Sequence, residues 1–258
     1  MTYQTLDIIE KYDGQVAEVI LNDAPANILT AAMMEDIRNF LKDDFSNQDR
    51  KLIIFKGAGD HFCFGASVEE HTADQVDNML PGFHLMCGDI LAHPVPTLAQ
   101  VSGFCLGGGF ELAIVCGLIF ADERSKYAVP EIQLGVFPPV AAALLPFLSN
   151  GVTASHMLLT GAKMTAGQMQ DCGVVYQTAP AAELEQTVAD YIEKNILPRS
   201  ASSLRFANQA VRMSVNSLYR QHICDLERLY LDGLMKSHDA NEGINSFLAK
   251  RAPDWKNK

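Results

Sequence analysis

Three consecutive glycines, Gly107–Gly109, constrain the fold of this chain more than any other feature. An apolar run (Thr97–Val101) precedes them and another apolar run (Phe110–Leu118) follows them. The pattern predicts a strand, a tight turn and a helix, and glycine leaves the turn backbone open to a ligand. The unpaired N–H groups of the first helical turn would attract a negatively charged oxygen. Glu111 would lie in that first turn, and on this stretch alone a structural role for its carboxylate is the better interpretation.

A second helix start of the same kind is predicted at Ser67. Ser67 and Glu70 have the spacing of a capping box, in which both side chains accept backbone N–H groups at the start of a helix. Gly65 and Ala66 would then lie just outside the helix, with N–H groups free to bind an anion. Capping boxes are common, so this motif alone indicates nothing about catalysis.

The first part of the chain is predicted to alternate strands and helices. Residues 15–22 and 51–56 have the composition of strands, the second one buried on both faces. Between them, Thr30 is the predicted N-cap of a helix whose apolar residues recur at helical spacing. A strand, a helix and a strand in this order favour a right-handed crossover unit.

The middle of the chain contains several proline-marked boundaries. A helix over residues 77–93 is expected to break internally at Pro81-Gly82, and short strands are expected at 119–121 and 126–129. Pro138 and Pro139 exclude the interior of a regular strand or helix at their position and fix a rigid bend.

From Val140 onward the sequence is mainly helical, with one predicted strand at 173–178. An amphipathic helix is expected over 181–197 and a hinge at 198–203. A long helix over 216–236 carries apolar residues on one side, so it should pack on the core or on a neighbouring subunit.

The composition limits the class of partner. The chain has 258 residues, of which 48% are hydrophobic and 20% charged, enough for a substantial core. A net charge of -11 argues against nucleic acid and against an anionic membrane as the main partner. The six cysteines are scattered without metal-binding spacing, residues 1–10 contain no apolar core of signal-peptide length, and no apolar stretch reaches the length of a membrane span. We therefore expect a reduced, cytoplasmic protein with no metal site and no membrane partner.

Three segments, taken in order and spacing, closely resemble the crotonase (enoyl-CoA hydratase/isomerase) family. They are residues 64–68, 103–112 and 127–135, and the likeness continues through 159–166 and 243–255.

The resemblance implies an α/β fold built as a spiral of repeated β-β-α turns. Residues 1–197 would form this spiral core with the acyl-CoA site. Residues 198–258 would form a helical C-terminal region that assembles the chain into a homotrimer or homohexamer.

The same resemblance implies an oxyanion hole and two catalytic carboxylates. The backbone N–H groups of Ala66 and Gly108 would bind the oxygen of a CoA thioester as it becomes an enolate. Hydratases of the family use two glutamates, and here both positions hold carboxylates, Glu111 and Glu131. Glu131 would protonate the α-carbon and Glu111 would activate water, although the sequence leaves this assignment open. No separate cofactor is implied, because coenzyme A is part of the substrate.

The resemblance also implies substrate-binding residues. The expected set is Phe62, Phe64, Ala66, Ser67, Val68, Gly107, Gly108, Pro138, Pro139, Phe247 and Lys250. Lys250 is expected on the last helix, near Phe247, as a CoA contact.

Two positions depart from the usual family pattern. Ser67 replaces the usual Asp, which we interpret as neutral because serine caps a helix equally well. Residues 137–142 replace a glycine-rich turn near the acyl pocket and should alter the acyl group accepted. This segment resembles the version in hydratases of cyclohexa-1,5-diene-1-carbonyl-CoA, so a cyclic dienoyl thioester is the specific substrate expected.

Other functions are less consistent with these residues. Within the family, an enoyl-CoA isomerase or a thioester hydrolase remains open, but the presence of both Glu111 and Glu131 favours hydration. A non-catalytic acyl-CoA-binding protein would be favoured by loss of one glutamate. The glycine spacing does not fit a Rossmann dinucleotide site, and the G-x-S-x-G motif of serine hydrolases is absent around Ser67.

Overall fold

The computed structural model describes residues 3–258 as a mixed α/β fold. The strands are β1 (Leu6–Lys11), β2 (Val16–Leu21), β3 (Leu52–Gly57), β4 (Thr97–Val101), β5 (Phe104–Leu106), β6 (Leu118–Asp122), β7 (Lys126–Ala128), β8 (Met164–Thr165) and β9 (Gln177–Ala179). The α-helices are α1 (Ala31–Asp44), α2 (Val76–Ala92), α3 (Gly108–Val115), α4 (Pro139–Leu148), α5 (Gly151–Thr160), α6 (Ala166–Asp171), α7 (Leu184–Tyr191), α8 (Ala201–Arg228) and α9 (His238–Leu248). Short 3₁₀ segments are Glu69–His71, Pro130–Leu134 and Leu234–Lys236, and π-helical turns are Ile192–Ile196 and Leu229–Gly233.

Six strands form one sheet, in the order β1-β2-β3-β4-β6-β9. In this sheet β1 pairs antiparallel with β2, whereas β2, β3, β4, β6 and β9 run parallel to one another. Each parallel connection must cross from one end of the sheet to the other, and helices make that crossing.

Short extended segments form a second layer beside the large sheet. β5, β7 and β8 pair there, and single bridges join Leu29 to Ala66 and Cys63 to Cys105. Successive turns of the chain therefore repeat a long strand, a short extended segment and a helix. This repeat is the β-β-α spiral that the resemblance to the crotonase family implies.

The central strands of the large sheet, β2, β3 and β4, are buried on both faces. Along β3, Ile53 and Phe55 join the main core with α1, α2 and α3, whereas Leu52 and Ile54 face the smaller core under α7. The prediction of a doubly buried strand at 51–56 is confirmed.

The C-terminal helices close the main core instead of standing apart from it. α8 packs on α2 and α4, and its Tyr219 and Ile223 belong to the same apolar cluster as the spiral. No helix in residues 3–258 is long and apolar enough to cross a membrane.

Several local predictions agree with the structure. Thr30 caps α1 by accepting the N–H of Met33 at 3.3 Å. The predicted strand at 15–22 is β2, and it pairs in parallel with β3 through the α1 crossover. Pro139 begins α4, where the missing N–H costs nothing.

The predicted α-helix start at Ser67 is wrong. Only a 3₁₀ segment, Glu69–His71, follows, and Thr72 is already extended. The Ser67 hydroxyl does accept the N–H of Glu70 at 3.4 Å. The Glu70 carboxylate, however, accepts the N–H of Ala31 at 3.0 Å and so caps α1 instead of closing a capping box.

The predicted break at Pro81-Gly82 is also wrong, because α2 runs continuously from Val76 to Ala92. Pro81 removes one hydrogen bond near the start of the helix. Buried residues on both sides of it, including Met79 and Phe83, hold the helix against the core.

Boundaries in the later chain shift from their predicted positions. α3 ends at Val115 and not at Leu118. The strand expected at 173–178 is the shorter β9 (Gln177–Ala179). The helix expected at 181–197 is α7, which is followed by a π-helical turn. The long helix starts at Ala201 and not at residue 216, with Ser200 as its N-cap.

Candidate active site

The start of α3 presents a free backbone N–H group at Gly108. Gly107, the N-cap, has φ 50° and ψ −128°, a conformation that favours glycine. Its own N–H donates to Ala128 and its carbonyl accepts from Glu111. The N–H of Gly108 has no acceptor within residues 3–258.

A second free N–H group, that of Ala66, lies beside the first. In the bridge between Ala66 and Leu29, the bonds run from Leu29 to the Gly65 carbonyl (2.9 Å) and from Ser67 to the Leu29 carbonyl (3.2 Å). The Ala66 N–H therefore points away from Leu29, and nothing in the described chain accepts it. A Cβ added to Gly108 would lie 3.0 Å from the Ala66 nitrogen, so only glycine fits here without displacement.

Glu111 is held in the first turn of α3 with its carboxylate buried. The residue is 4% exposed, and its Oε1 accepts the N–H of Ala141 at 2.9 Å. Burial raises the pKa of Glu111 to about 7, although the backbone amides of Ala141 and Val140 oppose the shift. The carboxylate can therefore take up or release a proton near neutral pH.

Glu131 faces Glu111 from the 3₁₀ segment Pro130–Leu134. Its Oε2 is buried and has no hydrogen-bond partner in the described residues. A Cβ on Gly107 would lie 2.6 Å from its Oε1, so the bare glycine makes room for this carboxylate. Burial first, and then the negative charge of Glu111, raise the pKa of Glu131 to about 8.

These groups open into one mainly apolar cavity. Its lining includes both free N–H residues, both glutamates and a wall of apolar side chains. The volume is about 90 Å³, several times the room that one water needs. Two buried carboxylates, two free N–H groups and an apolar wall can together polarise a carbonyl and move protons at a neighbouring carbon.

The structure brings most of the predicted site residues together. The following predicted residues line the cavity: Phe64, Ala66, Val68, Gly107, Gly108, Glu111, Glu131, Pro138 and Pro139.

Four predicted substrate contacts lie outside the cavity lining. Phe62 is fully buried in the core, and the Ser67 hydroxyl bonds to Glu69 and Glu70. Phe247 is 54% exposed on the outer surface of α9. Lys250 is exposed and lies past the end of α9 with φ 52°, so its predicted place on the last helix is wrong.

Several lining residues were not predicted from the sequence. His71 comes from the 3₁₀ segment after Ala66, Phe83 from α2 and Leu134 from the segment of Glu131. Tyr230 and Ile244 come from the C-terminal region. Tyr230 carried no recognisable signal, because a single tyrosine among the apolar residues of a long helix is expected to be core.

Within residues 3–258, no three His, Cys, Asp or Glu side chains are arranged to hold a metal ion. The six cysteines are free thiols, and four of them are buried. Burial raises the pKa of Cys63, Cys87, Cys105 and Cys116, which disfavours the thiolate needed for a nucleophile.

Comparison with known proteins identifies the family. The sequence model of the enoyl-CoA hydratase/isomerase family matches residues 11–258. Cyclohexa-1,5-dienecarbonyl-CoA hydratase of Thauera aromatica is 37% identical over 246 residues, 95% of each chain. A "probable enoyl-CoA hydratase" of Mycobacterium tuberculosis is 32% identical over 259 residues, 99% of each chain. The crystal structure of an enoyl-CoA hydratase from Mycobacterium avium subsp. paratuberculosis has a TM-score of 0.87 at 23% identity, covering 99% of this chain and 100% of that one.

The chain therefore belongs to the enoyl-CoA hydratase/isomerase family of enzymes, the crotonase family, and has its fold. The family and the fold predicted from the glycine turn and its companion segments are both confirmed.

Proposed function

We propose that the chain is a hydro-lyase that adds water to the conjugated double bond of an enoyl- or dienoyl-CoA thioester. The observation that carries this proposal is the pair of buried carboxylates, Glu111 and Glu131, beside the two free N–H groups of Ala66 and Gly108. Hydration needs these parts: one group to take a proton from water, one to give a proton to carbon, and donors for the enolate oxygen between those steps.

The thioester oxygen would bind between the N–H groups of Ala66 and Gly108. When water attacks the conjugated system, the displaced electron pair moves onto this oxygen and the two donors stabilise the enolate. Each such donor lowers a barrier by roughly 3 kcal/mol in other enzymes. Since neither N–H group has another acceptor in the described chain, both are available without rearrangement.

The two glutamates would divide the proton transfers. Burial raises the pKa of both carboxyls, so the pair can hold a proton near neutral pH. The N–H of Ala141 favours the ionised form of Glu111, whereas Oε2 of Glu131 has no donor in the described residues. Glu111 in its carboxylate form takes a proton from the attacking water, while protonated Glu131 delivers a proton to the α-carbon and collapses the enolate. The proton gained by Glu111 must return to Glu131, directly or through solvent, before the next turnover.

The acyl group is proposed to be compact and cyclic. The wall formed by Phe137, Pro138 and Pro139 is bulky and rigid, which favours a compact acyl group over a long flexible chain. The Thauera aromatica relative, a cyclohexa-1,5-dienecarbonyl-CoA hydratase by name, supports the same cyclic thioester as the substrate proposed here. This would place the reaction in the degradation of aromatic acids through reduced ring thioesters.

The assembly is proposed to be a homotrimer or homohexamer. Large apolar side chains stand exposed along α8, with Phe206 at 71%, Val211 at 77% and Met213 at 70% exposure. A second copy of the chain could cover them. Light scattering that gave a monomer mass at micromolar concentration would contradict this part.

The substrate proposal is tested with a panel of acyl-CoA thioesters, linear enoyl against cyclic dienoyl, followed by mass spectrometry. The expected result is a gain of one water on the cyclic dienoyl-CoA, with linear enoyl-CoA a poorer substrate. Turnover of crotonyl-CoA alone would contradict the cyclic assignment. Glu111→Gln and Glu131→Gln should each reduce turnover by about 100-fold or more while CoA thioester binding persists. Full activity in either variant would overturn the two-carboxylate mechanism.

A further inference from the structure

The active-site cavity holds two buried polar atoms without a partner in residues 3–258. They are Oε2 of Glu131 and the phenol oxygen of Tyr230. The other polar side chains in the lining are engaged, since Nδ1 of His71 bonds to the Ser67 carbonyl and Oε1 of Glu111 accepts from Ala141. Buried polar groups are normally paired, so an unpaired donor beside an unpaired carboxylate oxygen points to a polar ligand group.

Packing explains the ring of Tyr230 but not its hydroxyl. The residue lies in the π-helical turn Leu229–Gly233 and is 1% exposed. Its ring meets the edge of Phe137, with centroids 5.4 Å apart and planes at 64°. A phenylalanine would make the same aromatic contact without the desolvation cost of a buried, unpaired hydroxyl.

The surroundings of Tyr230 keep its hydroxyl a hydrogen-bond donor. Burial first, and then the charges of Glu131 and Glu111, raise the pKa of Tyr230 well above its ordinary value. The phenol lines the same cavity as the carboxylates that would handle the attacking water. An oxygen that gives a proton to a carboxylate still has a lone pair to accept the phenol O–H.

We propose that Tyr230 is a further substrate-contacting residue, whose hydroxyl donates a hydrogen bond to the oxygen that hydration adds to the acyl group. Before the reaction this oxygen belongs to the attacking water, and afterwards it is the hydroxyl of the product. Tyr230 forms no bond to carbon and transfers no proton; it positions the oxygen between itself and the carboxylates. The inference rests on the proposed function, because it assigns a role within the same cavity.

The test compares Tyr230→Phe with the unchanged protein in binding two matched ligands, 3-hydroxybutyryl-CoA and butyryl-CoA, by titration calorimetry. The variant should bind the hydroxyl-bearing thioester about 3- to 10-fold more weakly, as expected for one lost hydrogen bond. Its affinity for butyryl-CoA should stay within about 2-fold, because the aromatic packing is retained.

Tyr127→Phe is the matched control. Tyr127 also has a buried hydroxyl with no partner among the described residues, but it packs on Phe110 and does not line the cavity. This variant should change neither affinity.

Equal effects of Tyr230→Phe on both ligands, or no effect on either, would overturn the inference. The comparison needs no turnover, so it is read separately from the proposed function. If the protein hydrates no thioester, the proposed function fails. If it hydrates one and Tyr230→Phe still binds the two ligands as before, only the role of Tyr230 fails.

Discussion

Glu111→Gln should make the protein more stable at neutral and alkaline pH although it removes catalysis. Glu111 is 4% exposed, and burial raises its pKa to about 7 from the ordinary 4.5. Below the ordinary pKa, both the folded and the unfolded chain hold the proton, and the residue contributes no pH dependence. As the pH rises toward 7, the unfolded chain releases the proton first, so the folded state loses stability relative to it.

The size of this effect follows from the two pKa values. The interval between 4.5 and about 7 corresponds to about 3 kcal/mol at 1.36 kcal/mol for each pH unit. Glutamine removes the charge and keeps an oxygen that can accept the N–H of Ala141. The free energy of unfolding of Glu111→Gln should therefore match that of the unchanged protein near pH 4.5 and exceed it by up to about 3 kcal/mol above pH 7.

The assay is urea unfolding at a fixed protein concentration from pH 4.5 to pH 9, followed by circular dichroism. Glu123→Gln serves as the control, because it makes the same chemical change at an exposed residue outside the cavity. A difference between Glu111→Gln and the unchanged protein that stays constant across this range would refute the argument that Glu111 is buried with a raised pKa.

Two further predictions concern activity. The pH profile of kcat/KM should be bell-shaped, with its optimum between about 7 and 8. The rate should rise as the pair of Glu111 and Glu131 loses its first proton and fall as the pair loses the second. A profile that is flat from pH 5 to pH 9 would exclude a titrating carboxylate pair. Gly107→Ala should reduce kcat about 100-fold, because the new Cβ would lie 2.6 Å from Oε1 of Glu131 and displace that carboxylate. Gly82→Ala has nothing within 4 Å of its Cβ and should retain full kcat, and equal loss in both variants would contradict the explanation.

The glycine turn could be predicted from sequence because its requirements are local. Gly107 needs a positive φ, and Gly108 needs a backbone without a Cβ beside Ala66. Both requirements favour glycine at these two positions, so both can be recognised in the local sequence. The pairing of the turn with Ala66 and Glu131 came from the resemblance to a family, because the residues that meet in the cavity are far apart in the chain.

Predictions failed where distant residues supplied a partner. Ser67 and Glu70 have capping-box spacing, but the Glu70 carboxylate binds the start of α1 through Ala31, a contact that the local sequence cannot reveal.

The start of α8 was placed too late because buried polar residues interrupt its apolar pattern. Asn208 and Arg212 are both buried, and backbone carbonyls pair with their polar groups. Asn208 donates to the carbonyls of His93 and Pro94, and Arg212 donates to the carbonyl of Val115. A polar residue paired with distant backbone looks like exposed surface in the sequence. The contribution of Tyr230 to the cavity was missed for a similar reason, since a buried hydroxyl has no periodic signal.

The most direct test of the central claim is the reaction of an enoyl- or dienoyl-CoA in water labelled with a heavy oxygen isotope. The account predicts one labelled oxygen in a new hydroxyl group on the acyl carbons, with the CoA thioester intact. Label in a free carboxylic acid would indicate thioester hydrolysis, and a rearranged product without label would indicate isomerisation. Either result, or an unchanged thioester across the panel, would contradict hydration by Glu111 and Glu131.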